Sequence, residues 1–120
     1  MWMKDKSDHF AAQLMPMEAK RVIIKLRILG RLKIGRTYSY AIIKEFHKAG
    51  FADFYGPTLK NDTYNALNVL TKAGYIKLQH RVVSGKVKNY YVLTKLGDRT
   101  LKSVGKMMVS TIKEASRLFR

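Results

Sequence analysis

The sequence predicts a mostly helical α+β fold in which a two-stranded hairpin follows several amphipathic helices. Three observations support this prediction: apolar residues recur at helical spacing up to residue 73, two β-rich stretches then flank a glycine-containing turn, and a long amphipathic segment closes the chain. A chain of 120 residues forms one domain with a modest core. This order of elements is that of a winged helix-turn-helix. We divide the chain into an N-terminal extension able to form a short helix (1–15), a winged domain (16–94) and a C-terminal helix (95–120).

Two helices and an aromatic connector are predicted in the first half of the chain. Pro16 fits the first turn of a helix that runs to about Lys33. The next helix opens at Thr37 or Ser39 and ends at Gly50. The residues predicted to face the core are Val22, Ile23, Leu26 and Leu29 in the first helix, and Ile42, Ile43, Phe46 and Ala49 in the second. The aromatic side chains between residues 51 and 58 are also assigned to the core.

The helix predicted over about 61–73 is the element around which the rest of the chain is arranged. Its buried face is marked by Ala66, Leu67 and Leu70. Nearly opposite that face, one stripe carries Asn61, Asn65, Asn68 and Lys72. A solvated helix face usually carries Glu or Lys, because Asn is a mediocre helix former. The asparagine amide can both donate to and accept from a base edge, notably adenine. The stripe therefore predicts a recognition helix that enters a DNA groove.

A basic hairpin is predicted to follow this helix. Gly74 ends the helix, and Tyr75–Val83 alternates well enough to be a strand. Ser84–Asn89 is predicted to be a lysine-bearing turn, and Tyr90–Leu93 a β-rich return strand. Thr94 is placed to cap the final helix. A hairpin with a cationic tip beside a recognition helix is typical of the wing of a winged helix.

Net charge is the most informative property of the composition. The chain has 24 Lys and Arg against 8 Asp and Glu, a formal net charge of +16. Such an excess repels itself in a compact fold and favours polyanionic partners. A membrane surface is disfavoured, because the cations are spread along the chain instead of forming one basic amphipathic helix. The alternative is a generically soluble basic protein.

Enzymatic and metal-binding functions are not supported by any motif. His9, His47 and His80 are single and lack the spacing of a metal site, and the chain has no cysteine. A phosphate-binding glycine loop, a serine nucleophile motif and a pair of carboxylates are also missing. We therefore expect neither catalysis nor a cofactor. No stretch approaches the roughly 18 apolar residues of a membrane span, so a cytoplasmic, nucleoid-associated protein is expected.

Three stretches resemble the sequence blocks of PadR-like winged-helix transcriptional regulators, in the same order and with similar spacing. They are TYSYAIIKEF, DTYNALNVLTKAGYI and KNYYVLTKLGDRTL, and the resemblance covers about Met17 to Leu101. Other small winged-helix groups, including MarR-like and archaeal regulators, share much of this pattern. The resemblance implies a dimeric, sequence-specific repressor of transcription. It implies that Asn61–Asn68 lies on the recognition helix, Ser84–Lys88 in the wing and Tyr38–Tyr40 at the supporting helix.

The predicted DNA contacts divide into phosphate binding and base reading. Hydroxyl groups at Tyr38, Ser39 and Tyr40 lie at a predicted helix N-terminus, where backbone N–H groups attract a phosphate; N-capping with tyrosine packing is the alternative. The candidates for base reading are Asn61, Asn65 and Asn68. The other predicted DNA-binding residues are Lys60, Thr63, Tyr64, Lys72, Arg81, Ser84, Lys86 and Lys88. Thr63 and Tyr64 are predicted either to contact phosphate or to pack.

The final helix, about Lys95 to Phe119, carries an apolar seam near heptad spacing, which we interpret as a homodimer interface. The predicted interface residues are Leu101, Val104, Met108, Ile112, Ala115, Leu118 and Phe119. The alternative is a helix that folds back on its own domain. The predicted partners are double-stranded DNA and a second copy of the chain. An architectural DNA-coating protein and an RNA- or ribosome-associated module are the alternative functions.

Overall fold

The computed structural model describes residues 16–119. The predicted N-terminal extension and the side chain of Phe119 lie outside the described part. The helices are α1 (Met17–Ile34), α2 (Ser39–Lys48), α3 (Phe51–Tyr55), α4 (Leu59–Lys72) and α5 (Lys95–Ser116). Between α4 and α5, β1 (Ile76–Val83) and β2 (Lys86–Leu93) form an antiparallel hairpin, and a 3₁₀ turn (Arg117–Phe119) follows α5. The mostly helical winged fold predicted from the sequence is confirmed.

The buried face of α1 differs from the predicted one. Ile24, Ile28 and Leu32 are buried at four-residue spacing, whereas Val22 is 54% exposed. Of the predicted stripe only Leu29 is fully buried. The sequence of α1 offers two overlapping apolar stripes, so periodicity alone does not choose between them. The choice is made by packing, because α1 rests on α4, α5 and β2.

The core is completed by α2, α3 and α4. Ile42, Ile43 and Phe46 are buried as predicted, but Ala49 is exposed because it lies beyond the last turn of α2. The aromatic connector is a short helix whose rings are buried, as predicted for a core segment, and the ring centroid of Phe51 lies 5.2 Å from that of Phe46. The predicted buried face of α4 is confirmed, and the members of that face are Leu59, Thr63, Ala66, Leu67 and Leu70.

The turn of the hairpin is shorter than predicted. Only Ser84 and Gly85 form it, and both have positive φ, at 53° and 77°. Positive φ at both central residues is the requirement of a type I′ turn, whose twist matches that of the flanking strands. Residues 86–89, which the sequence assigned to the turn, therefore belong to β2 and pair with residues 80–83. The wing is a longer and more regular hairpin than expected.

A tight joint connects the end of α4 to the start of α5. Gly74, with φ at 82°, ends α4 as predicted, and the Thr94 hydroxyl donates to the Gly74 carbonyl oxygen at 2.6 Å. The same hydroxyl oxygen accepts from the Gly97 N–H at 3.0 Å, so Thr94 caps α5 as predicted. Hydrogen bonds from Lys33, on α1, and Lys102 hold the pKa of the Asp98 carboxyl below its ordinary value. The start of α5 is thus fixed to the winged domain.

Most of α5 projects beyond the domain. Leu101 packs against the core, but Met108 is 45% exposed and Ile112 is 62% exposed. In the described chain the apolar seam therefore does not fold back on its own domain, which was the alternative to a dimer interface. No helix within residues 16–119 is both long and apolar enough to cross a membrane.

Candidate nucleic-acid interface

The polar stripe of α4 is exposed along its whole length. Asn61, Asn65, Asn68 and Lys72 are all exposed, and Leu67, on the opposite side of the helix, is completely buried. The stripe extends over twelve residues from Asn61 to Lys72, and the eleven steps between them correspond to roughly 17 Å along the helix axis at ~1.5 Å per residue. Three amides with free donors and acceptors are thus presented in one row, as base reading requires.

Thr63 does not belong to this surface. Its side chain is completely buried, and its hydroxyl donates to the Leu59 carbonyl oxygen at 2.7 Å. The position lies on the core side of α4, so Thr63 packs and cannot reach a phosphate. Tyr64 is 39% exposed and lies on the wing side of the helix, close enough to Tyr91 to contribute to the raised pKa of that phenol, whose main cause is burial. Of the two residues, only Tyr64 remains available for DNA.

Two basic residues of α1 that the sequence did not single out lie beside the stripe. Arg21 and Lys25 line a cleft of about 230 Å³ between α1 and α4, together with Asn65 and Asp62. Asp62 is engaged, since its carboxylate accepts from the Tyr55 hydroxyl at 2.7 Å. In the sequence, Arg21 and Lys25 are indistinguishable from the other cations of α1, because only the packing of the two helices brings them beside α4.

The N-terminus of α2 presents its polar residues to solvent. Tyr38 is 37% exposed and Tyr40 is 59% exposed, while Ser39 is half-buried. No side chain caps this helix end, but the Tyr38 ring packs edge to face against the Tyr90 ring with centroids 6.0 Å apart. Of the alternative, N-capping is therefore not found, whereas tyrosine packing is found for Tyr38. The Lys44 ammonium lies 5.5 Å from the centroid of the Tyr40 ring and adds positive charge to the same end. The arrangement suits a phosphate oxygen.

The wing carries exposed cations next to this helix end. Arg81, Ser84, Lys86 and Lys88 are all exposed. The Lys88 ammonium lies 5.6 Å from the centroid of the Tyr38 ring, so the wing and the N-terminus of α2 are in contact. This contact joins the predicted site residues of the wing to those of α2. Lys60, at the start of α4, is exposed as well.

Comparison with solved structures gives the same fold. A PadR family transcription regulator from Clostridium difficile R20291 is 24% identical, with a TM-score of 0.64 over 80% of this chain and 96% of that chain. A PadR family regulator from Eggerthella lenta DSM 2243 is 22% identical, with a TM-score of 0.69 over 86% of this chain and 87% of that chain. Bacillus subtilis PadR, solved in complex with operator DNA, is 29% identical, with a TM-score of 0.57 over 68% of this chain and 45% of that chain.

The family model of the PadR-like transcriptional regulators matches residues 28–103, which include α4, the wing and the start of α5. No match is found among curated proteins. The resemblance drawn from the three sequence blocks is confirmed. The chain belongs to the PadR-like family of transcriptional regulators.

Proposed function

We propose that this regulator is a homodimeric repressor that binds a specific duplex operator, with α4 in the major groove and the wing on the backbone or in the minor groove. The observation that carries the proposal is the exposed row of Asn61, Asn65 and Asn68 on α4. Amides in one row can each read a base edge, and the surrounding cations neutralise phosphates. The operator complex of the B. subtilis relative supports duplex DNA as the partner.

Selection of bound sequences from a random duplex library tests the proposal directly. A specific regulator enriches one pseudo-palindromic sequence, because two-fold symmetry places two copies of α4 in successive major grooves, about 34 Å apart. Mass in solution is measured in parallel, and a dimer is expected. A reporter gene with the selected site over its promoter should fall in expression when the protein is produced. Rising expression would reject the repressor role, and the absence of an enriched sequence would reject specific binding.

Replacing Asn65 by alanine is expected to reduce discrimination more than general affinity. The amide lies in the middle of the row, and losing its contact to one base should cost about 1–3 kcal/mol of preference at that base pair. The preference is measured as the ratio of dissociation constants for the selected duplex and for a duplex changed at that base pair. Val69→Ala is the matched control, because Val69 is half exposed on the flank of the same helix. An equal loss of affinity on selected and random duplexes would contradict base reading by Asn65.

Replacing Lys86 and Lys88 by alanine is expected to have the opposite effect. Both side chains are exposed on β2, so their loss should weaken binding to all sequences alike. If both lysines contact phosphates, the plot of log affinity against log salt should become less steep, with its slope smaller in magnitude by about 2, at ~0.9 per lost contact. Lys48→Ala with Lys106→Ala removes the same charge from exposed positions outside the proposed surface. Equal losses in the two double variants would mean that bulk charge, and not the wing, binds the backbone.

An architectural DNA-coating protein is the second candidate. The net charge of +16 on 120 residues favours it, because a charge of this size binds any duplex. The two candidates differ in their specificity ratio at physiological salt. A ratio of at least about a thousand between selected and random duplex favours the regulator of a defined operator. Competition by structured RNA provides the corresponding test for an RNA-binding role.

A further inference from the structure

The first turn of α4 has no side-chain cap of its own. Its N-cap residue, Thr58, makes no capping hydrogen bond with its side chain. Helix ends fray, because the first N–H groups of a helix have no partner within it. Asn61 lies in this turn and Asn65 in the next one. The direction in which these two amides point therefore depends on whatever else holds this end of α4.

The carboxylate of Asp62 ties this end of α4 to the preceding helix, α3. Its Oδ2 atom accepts from the Tyr55 hydroxyl at 2.7 Å and from the Thr58 hydroxyl at 3.0 Å. Tyr55 is only 1% exposed, so its ring is fixed in the core while its hydroxyl reaches Asp62. Hydrogen bonds to an ionised group are roughly twice as strong as those between neutral groups. The carboxylate thus connects α4 to a ring that cannot move without opening the core.

Arg21 of α1 belongs to the same group of side chains. Burial is the main cause that raises the pKa of the Tyr55 phenol above its ordinary value, and the hydrogen bond to Asp62 adds to the rise. Arg21 acts in the opposite direction through its charge and a hydrogen bond, so its guanidinium lies close to the phenol. Because the net shift is upward, the phenol stays protonated at neutral pH and can donate to Asp62. Arg21 and Asp62 both line the cleft beside Asn65.

We propose that Tyr55 and Asp62 are positioning residues for base reading, because their hydrogen bond fixes the direction of the first two turns of α4 and of the Asn61 and Asn65 amides. The inference rests on the proposed function, since the direction of the amides matters only if they read bases. Asp62 directly follows Asn61 in the chain and lies on the flank of the amide row that faces α1. A hydrogen bond to a base edge requires a donor–acceptor distance of about 2.7–3.2 Å. A small tilt of this end of α4 would therefore break such bonds, although neither positioning residue has to touch DNA.

The first measurement is hydrogen exchange of backbone amides in the full chain without DNA. Tyr55→Phe keeps the buried ring and removes only the hydroxyl, so the amides of residues 63–65 should exchange at least about tenfold faster, the effect of losing one hydrogen bond to a charged group. The later amides of α4 should change less, whereas a merely structural role would accelerate exchange along the whole helix through global unfolding. Thr71→Val is the matched control. It removes a hydroxyl that donates to the Leu67 carbonyl oxygen at 2.7 Å near the other end of α4, so it should leave residues 63–65 unchanged.

The second measurement is the ratio of dissociation constants for random and selected duplexes. Tyr55→Phe and Asp62→Ala should each lower this ratio by about tenfold, and the double variant should lower it no further, because both changes break the same hydrogen bond. Asp62→Asn keeps an acceptor oxygen and should restore most of what Asp62→Ala loses. The two Asp62 variants also remove a negative charge, which raises affinity for every duplex and cancels in the ratio. The salt slope of Tyr55→Phe should equal that of the wild type, since no phosphate contact is lost.

Either measurement can overturn the inference. It is wrong if Tyr55→Phe exchanges residues 63–65 at the wild-type rate, because the hydroxyl then does not hold this end of α4. It is also wrong if Tyr55→Phe retains the discrimination of the wild type and of Thr71→Val. Failure of the proposed function has a different signature, namely a wild-type chain that binds selected and random duplexes with equal affinity.

Discussion

Replacing Gly97 by alanine is expected to lower the free energy of unfolding by about 2–3 kcal/mol, because overpacking at a rigid contact costs this much. A Cβ at this position would overlap the carbonyl oxygen of Tyr75 and lie 2.7 Å from Leu93 Cδ1. The overlapped atom belongs to the backbone of Tyr75, between α4 and β1, so it cannot rotate away as a side chain could. Alanine is the better helix former by about 1 kcal/mol, and the clash outweighs this gain. Denaturant unfolding measures the change.

Gly30→Ala is the matched control for Gly97→Ala. Gly30 also lies inside a helix, and a Cβ there would meet no atom within 4 Å. This variant should be as stable as the wild type or more stable by up to about 1 kcal/mol. Since Gly97 joins α5 to the end of α4, Gly97→Ala should also weaken operator binding in conditions where it remains folded. If Gly97→Ala matched Gly30→Ala in stability, the joint would not be the tight contact described above.

Replacing Met108 and Ile112 by glutamate is expected to separate the proposed dimer into monomers. Both side chains are exposed apolar groups on the seam of α5, and two carboxylates in a paired seam would be buried without partners. A monomer holds the operator through one half-site, so affinity for the full operator should fall at least about 100-fold, the usual scale of a bivalent effect. Sedimentation gives the mass, and titration of labelled operator gives the affinity.

Ser103→Glu with Ser110→Glu is the control for this substitution. It introduces the same charge at exposed positions on the opposite side of α5, away from Met108 and Ile112. Its mass in solution should equal that of the wild type. Its affinity for the operator should fall only by the amount that two added negative charges cause through repulsion of the DNA. If Met108→Glu/Ile112→Glu kept both the mass in solution and the operator affinity of the wild type, the seam of α5 would not be the subunit contact.

The elements bounded by strong local signals could be predicted from the sequence. Pro16, Gly74 and Thr94 were each assigned the helix boundary that the structure has, because a proline, a left-handed glycine and a capping hydroxyl act on neighbouring backbone. The row of asparagines on α4 followed in the same way from helical spacing. Such signals act within a few residues, so they can be interpreted without knowing which elements pack against each other.

Some residue predictions needed correction, and for α1 the cause was contact between distant segments. The inward stripe of α1 was partly wrong. Leu29 is buried and Ile23 packs against the core as predicted, but packing against α4, α5 and β2 buries Ile24 and Ile28 and leaves Val22 exposed. Thr63 was placed among the DNA-binding residues with packing as its alternative, and it packs: its position on α4 faces the core and its hydroxyl donates to a carbonyl oxygen of the same helix. The turn was predicted too long because the lysines in residues 86–89 suggested a loop. These residues instead pair with β1, and the lysine side chains lie on an exposed face of β2.

The sequence by itself determined the order of the elements, the excess of positive charge and the amide row on one helix, since spacing and composition fix all three. Only the tertiary structure decided which cations share a surface. Arg36 and Lys77 are far apart in the chain, and they come to one face of the wing because a β-bridge and a strand register place them there. Side-chain direction in a strand depends on pairing with a partner, and a partner distant in sequence cannot be identified from local pattern.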